Sequence, residues 1–98
     1  MTTQMTIEFT EPQSAQTLLR ALELYKARLR ANIERTRRHL TDFEKRYSRT
    51  TADFLSTATA EDLPGGDMEY ILWAGEAKLL AGLEQELAGL EHAHYHLP

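Results

Sequence analysis

The chain has 98 residues, 42% of them hydrophobic and 27% charged, with a formal net charge of −4 and no cysteine. That composition fits one small domain and excludes wholesale disorder, a disulfide framework and a cysteine-based zinc site. No apolar run approaches the ~18 residues of a membrane span, and "MTTQMTIEF" lacks the basic start and apolar core of a signal peptide. The expected setting is the cytoplasm, with no membrane as partner.

Residues 1–13 read as a polar N-terminal arm. Met5, Ile7 and Phe9 alternate as in a short strand, and Thr10 to Gln13 ("TEPQ") has the spacing of a capping box. Residues 14–49 contain neither Gly nor Pro and predict one long helix. With Ile33 at heptad position a, Leu19, Leu40 and Tyr47 are also a, while Leu22, Leu29 and Phe43 are d. Only Lys26 and Thr36 interrupt the seam.

Residues 50–66 predict a short helix followed by a turn. Thr50 or Thr51 caps the helix, Phe54 and Leu55 point inward, and Pro64-Gly65-Gly66 makes the turn. A second helix over 67–92 opens at Asp67 as N-cap and carries Leu80 and Leu87 at a, Leu83 and Leu90 at d. Its first half, with Met68, Ile71, Leu72, Trp73 and Leu79, is apolar around a wider arc. Gly75, Gly82 and Gly89 recur every seven residues, as for close backbone approach, each costing about 1 kcal/mol relative to Ala. Residues 93–98 form a tail.

Charge is segregated. Arg20 to Arg49 hold ten cations against four acids, a net +6, and the remainder carries −10. Two helices joined by a short connection lie antiparallel. Ile33 then meets Leu90, Thr36 meets Leu87, Leu40 meets Leu83 and Phe43 meets Leu80. At nearly the same register Arg30 faces Glu91 and Arg37 faces Glu84. The predicted fold is therefore all-α: a long antiparallel helical hairpin, coiled-coil-like, with a short helix in the connection.

At 1.5 Å per residue the helices are about 54 Å and 39 Å long, so the first overhangs the second. The stretch "LLRALELY" exposes Leu18, Leu19, Leu22 and Tyr25, a predicted partner-binding patch. A second copy would complete a dimeric four-helix bundle; a different protein docking there is the other solution. Arg28, Arg35 and Arg38 occupy outer positions and offer a nucleic acid a basic face, but no DNA-binding motif accompanies them. The intramolecular role of the basic half is favoured.

Candidate chemistry is sparse. His92 and His96 stand one turn apart, but His94 faces elsewhere, and helix C-terminal histidines are favoured by the dipole alone. No metal, cofactor or enzymatic activity is expected.

The stretches "RYSRTTADFL" and "GGDMEYILWAGEAKLLAGLEQELAGLE" carry Tyr47, Thr51, Asp53 and Phe54, then Asp67, Met68, Glu69, Tyr70 and Trp73. This pattern resembles a group of small prokaryotic helical proteins often encoded beside putative toxins. The resemblance spans roughly residues 44–91, and "TATAEDLPGG" departs from the group's usual spacer. It implies an antitoxin-like role with a cognate toxin-like partner.

Overall fold

The computed structural model describes residues 1–57 and 67–95. Three helices follow one another: α1 (Pro12–Tyr47), α2 (Thr51–Thr57) and α3 (Asp67–Glu91), with no strand among the described residues. α1 and α3 form the expected antiparallel hairpin, and the molecule measures 59 × 27 × 17 Å, its long axis set by α1. The predicted turn at 64–66 and the end of the tail lie outside the described residues.

The arm does not pair as a strand; residues 1–9 are exposed and irregular. The capping box also fails. Glu11 is the N-cap, without a side-chain cap bond, and Pro12 occupies the first turn, where its missing N–H costs nothing. α1 ends at Tyr47, two residues early, because Ser48 turns left-handed (φ 54°) and its N–H returns to the Glu44 carbonyl. The chain re-enters helix almost at once. Thr50 Oγ1 accepts the Asp53 N–H at 3.0 Å, and the Glu44 carboxylate accepts the Thr51 N–H at 2.7 Å. Thr50 is thus the cap of α2. α3 begins with Asp67 inside the helix rather than at its cap, and ends at Glu91, one residue short of the expected His92.

The two seam interruptions are accommodated. Thr36 is buried, and its hydroxyl donates to the Asn32 carbonyl at 2.9 Å within its own helix. Lys26 is 7% exposed; its ammonium reaches Glu23 at 3.2 Å and sits 5.5 Å from the centre of the Tyr95 ring. The stem is buried while the charge is met at the rim.

The core concentrates where the three helices meet. Phe54 and Trp73 are both 0% exposed and stack at 4.0 Å with planes 6° apart. Phe43 and Tyr47 from α1 stack on Trp73 at 5.5 and 5.6 Å, and Tyr70 meets Phe54 edge-on at 5.4 Å. Trp73 Nε1 donates to Thr51 Oγ1 at 3.0 Å, so the one polar atom of the buried indole is satisfied. Leu55, expected inside, points out. α2 has only one face against the hairpin, and Phe54 takes it. Away from this plug the seam is simpler: Leu29, Ile33 and Leu40 are buried on α1, while Leu80, Leu83, Leu87 and Leu90 of α3 are half-buried.

The glycines are not sites of close approach within the chain. A Cβ added at Gly75, Gly82 or Gly89 meets no atom within 4 Å. All three face away from α1.

Replacing Trp73 by Ala empties the plug and is expected to destabilise the fold by about 3–5 kcal/mol, much of what a domain of this size possesses. Trp73→Phe keeps the ring contacts but leaves Thr51 without its donor, costing about 1 kcal/mol from that bond plus a smaller packing loss. Urea unfolding followed by helical circular dichroism measures both. Equal losses in the two variants would show that the hydrogen bond, not the packing, dominates.

Candidate protein-docking surface

Arg30 Nη2 lies 3.2 Å from Glu91, and Arg37 bridges Glu34 at 3.1 Å and Glu84 at 3.0 Å. Both interhelical pairs are those that the heptad reading anticipates. Their side chains are about half exposed, so each is worth roughly 0.2–1 kcal/mol and specifies register more than stability. Arg46–Glu69 (2.8 Å) and His39–Glu76 (3.1 Å) add struts along the opposite flank of the hairpin.

This register defines the overhang. α3 ends level with Arg30, and the tail folds so that Tyr95 reaches Lys26. Residues 12–25 of α1, about 21 Å of helix, therefore extend beyond α3. Leu18 and Tyr25 are exposed there, together with Leu24 on the far side, whereas Leu19 and Leu22 are half-buried. Leu18, Leu22 and Tyr25 form one stripe at i, i+4 and i+7.

One part of the expectation is corrected. Tyr25 is not left to itself by its own chain: its hydroxyl reaches back along the hairpin and donates to Glu86 Oε2 at 2.5 Å. That hydrogen bond, followed by burial and the Glu86 charge, raises the Tyr25 pKa above its ordinary 10.0. The neighbouring Lys26 is also raised, first by its bond to Glu23 and then by Tyr95, against the opposing effect of burial.

Arg28 and Arg38 are exposed and join no ion pair among the described residues, while Arg35 donates to Asn32 Oδ1 at 2.6 Å. Their outer placement matches the sequence reading. His92 is exposed beyond α3; His96 lies outside the described residues, and no group of three or more His, Cys, Asp or Glu among the described residues is arranged to hold a metal ion. No described helix is long and apolar enough to cross a membrane. The motif positions Tyr47, Thr51, Phe54, Tyr70 and Trp73 converge on the plug, whereas Met68 points to solvent; the Asp67 side chain is not among those described.

A second exposed apolar surface lies on the outside of α3. It comprises Met68, Ile71, Leu72 and Leu79, the residues that make the first half of this helix apolar around a wider arc. The sequence reading assigned that arc no partner.

No family model matches this chain, and no curated protein or solved structure matches it either.

The Tyr25 tie has a definite pH sense. A raised folded-state pKa means its stabilisation is complete below pH 10 and disappears as pH climbs through the folded value. The difference in 295 nm absorbance titration between the wild type and Tyr25→Phe is expected to show a midpoint above 10. A midpoint at or below 10 would mean the bond to Glu86 does not form in solution.

Proposed function

We propose that this hairpin is a non-enzymatic protein-binding module, the antitoxin-like member of a two-protein pair, which docks the overhanging part of α1 into an apolar groove of its partner. The observation that carries this reading is the stripe of Leu18, Leu22 and Tyr25, with Leu18 and Tyr25 exposed and Leu22 half-buried, on the part of α1 that extends beyond α3. Amphipathic helices engage grooves through anchors at this spacing.

Magnitudes limit what the stripe does alone. Complete burial of a Leu side chain is worth about 1.5–3 kcal/mol, and these residues are already partly covered. Three such anchors, partly covered already, fall short of the ~12 kcal/mol of a nanomolar complex. The arm supplies more area: Ile7 and Phe9 are exposed and end two residues before α1 begins. A partner that clasps both arm and overhang fits this surface better than one touching α1 alone. The antitoxin-like character rests on the resemblance of residues 44–91, whose motif positions build the plug and leave the overhang to choose the partner.

The protein encoded by the adjacent gene is the partner to test. Co-purification and calorimetric titration are expected to yield a complex that Leu18→Asp weakens at least tenfold, with helicity unchanged because Leu18 lies outside the core. A complex indifferent to Leu18→Asp and Leu22→Asp, or no complex at all, would refute this docking mode.

A second reading is supported by Arg28 and Arg38, which are exposed and join no ion pair among the described residues and which with Arg35 give a nucleic acid a phosphate-binding row. Binding through it would fall steeply as salt rises. Absence of measurable affinity near ~50 mM salt would eliminate it.

A further inference from the structure

The outer apolar surface of α3 is organised. Its members are Met68, Leu72, Gly75, Leu79, Gly82, Glu86 and Gly89, spaced alternately by four and three residues. From Leu72 onward each stands one residue before a position of the inner row, which runs through Trp73, Glu76, Leu80, Leu83, Leu87 and Leu90. One residue is about 100° of helix rotation, close to the right angle between the two contacts each helix makes in a four-helix bundle. The inner row packs on α1. Among the described residues the apolar members of the outer row are left half or more uncovered, Met68 being 64%, Leu72 50% and Leu79 49% exposed, while Glu86 accepts the Tyr25 hydroxyl.

We infer that this outer row is a homodimer interface, in which α3 of a second copy lies antiparallel across it about a two-fold axis between Leu79 and Gly82. The row fits its own copy. With the axis there, Leu72 sits on Gly89 of the second copy, Leu79 on Gly82, and Glu86 on Gly75, and each contact is repeated by symmetry. Leu72, Leu79 and Glu86 each meet a glycine, and Gly75, Gly82 and Gly89 each receive one of these side chains; Met68 falls opposite Ala93, beyond the end of α3. The space above each glycine is open in the single chain, with nothing within 4 Å of an added Cβ.

Charge supports the same register. Lys78 is the one cation of α3 and joins no ion pair among the described residues. Neither Lys78 nor Glu86 has an opposite charge three or four residues away on its own helix. In the dimer, Lys78 flanks Glu86 of the second copy, one turn off the same level. Helical side chains lean toward their own N-terminus, which in antiparallel helices brings these two ends together. Glu86 Oε2 accepts the Tyr25 hydroxyl, which leaves its other oxygen for the lysine of the second copy. Beside the row, an open groove of about 290 Å³ between α1 and α3, lined by Asn32, Arg35, His39 and Leu79, receives the flank of the second α3. This surface is separate from the Leu18 stripe, so the interface stands whether or not that stripe binds a partner.

Sedimentation equilibrium of the full chain is expected to give a dimer. Gly82→Leu is expected to weaken it at least tenfold without loss of helical signal, since the single chain has room for the side chain. Lys78→Glu and Glu86→Lys are each expected to weaken association several-fold, and the double variant to restore it to within about threefold of wild type. Leu18→Asp leaves the dimer intact. A chain that stays monomeric at every concentration overturns the inference. So does a dimer that tolerates Gly82→Leu, one in which the reversed pair fails to rescue, or one that Leu18→Asp dissociates.

Discussion

The fold depends on one buried indole. Trp73 enters from the first turns of α3, lies parallel to Phe54 of α2 and stacks with Phe43 and Tyr47 of α1. It thereby fixes the relative positions of three helices that otherwise share a narrow seam. Its Nε1 bond to Thr51 adds direction to a contact that packing alone leaves free to rotate. α2 is seven residues long, too short to persist as a helix in isolation, and Phe54 on Trp73 is what holds it in place. The turn at Ser48 and the Glu44 carboxylate on the Thr51 N–H then set how α1 hands the chain to α2.

From this anchored end the hairpin extends as a two-helix ribbon, and the dominant force changes along it. Near the plug, aromatic area does most of the work. Farther out, aliphatic side chains on α3 are only half-buried, and interhelical charge takes over the choice of register. A slip of the hairpin would separate Arg30 from Glu91 and Arg37 from Glu84, even though each pair contributes little. Three of the α1 cations, Arg30, Arg37 and Arg46, are matched by Glu91, Glu84 and Glu69 of the acidic limb.

Most of this was legible because two independent patterns agreed. Leucine spacing located both helices, and Arg30–Glu91 and Arg37–Glu84 emerged from the same register as the apolar layers. What escaped was local chemistry with competing solutions. Thr10 and Gln13 have capping-box spacing, but Pro12 between them starts the helix without a cap bond. Ser48 stops α1 two residues early by a left-handed turn that no periodicity announces. Leu55 looked as apolar as Phe54, yet a single-turn contact has room for one of them. At the overhang the heptad argument left Tyr25 without a contact to its own chain, but a side chain as long as tyrosine spans the gap to Glu86, which residue spacing alone does not reveal.

The composition of α3 follows from the same reasoning about cost and compensation. A helix with apolar residues around most of its circumference is normally enclosed on several sides, whereas α1 and α2 cover only one. Three glycines weaken it by about 1 kcal/mol each relative to alanine, and within the hairpin none of them relieves a clash. A marginal helix with an unspent apolar row is poorly suited to a lone hairpin. The same sequence is well suited to a helix whose second neighbour comes very close, because glycine lets backbones approach where alanine would hold them apart. The penalty and the exposed leucines are thus both accounted for by the inferred contact on the side of α3 that α1 and α2 do not reach.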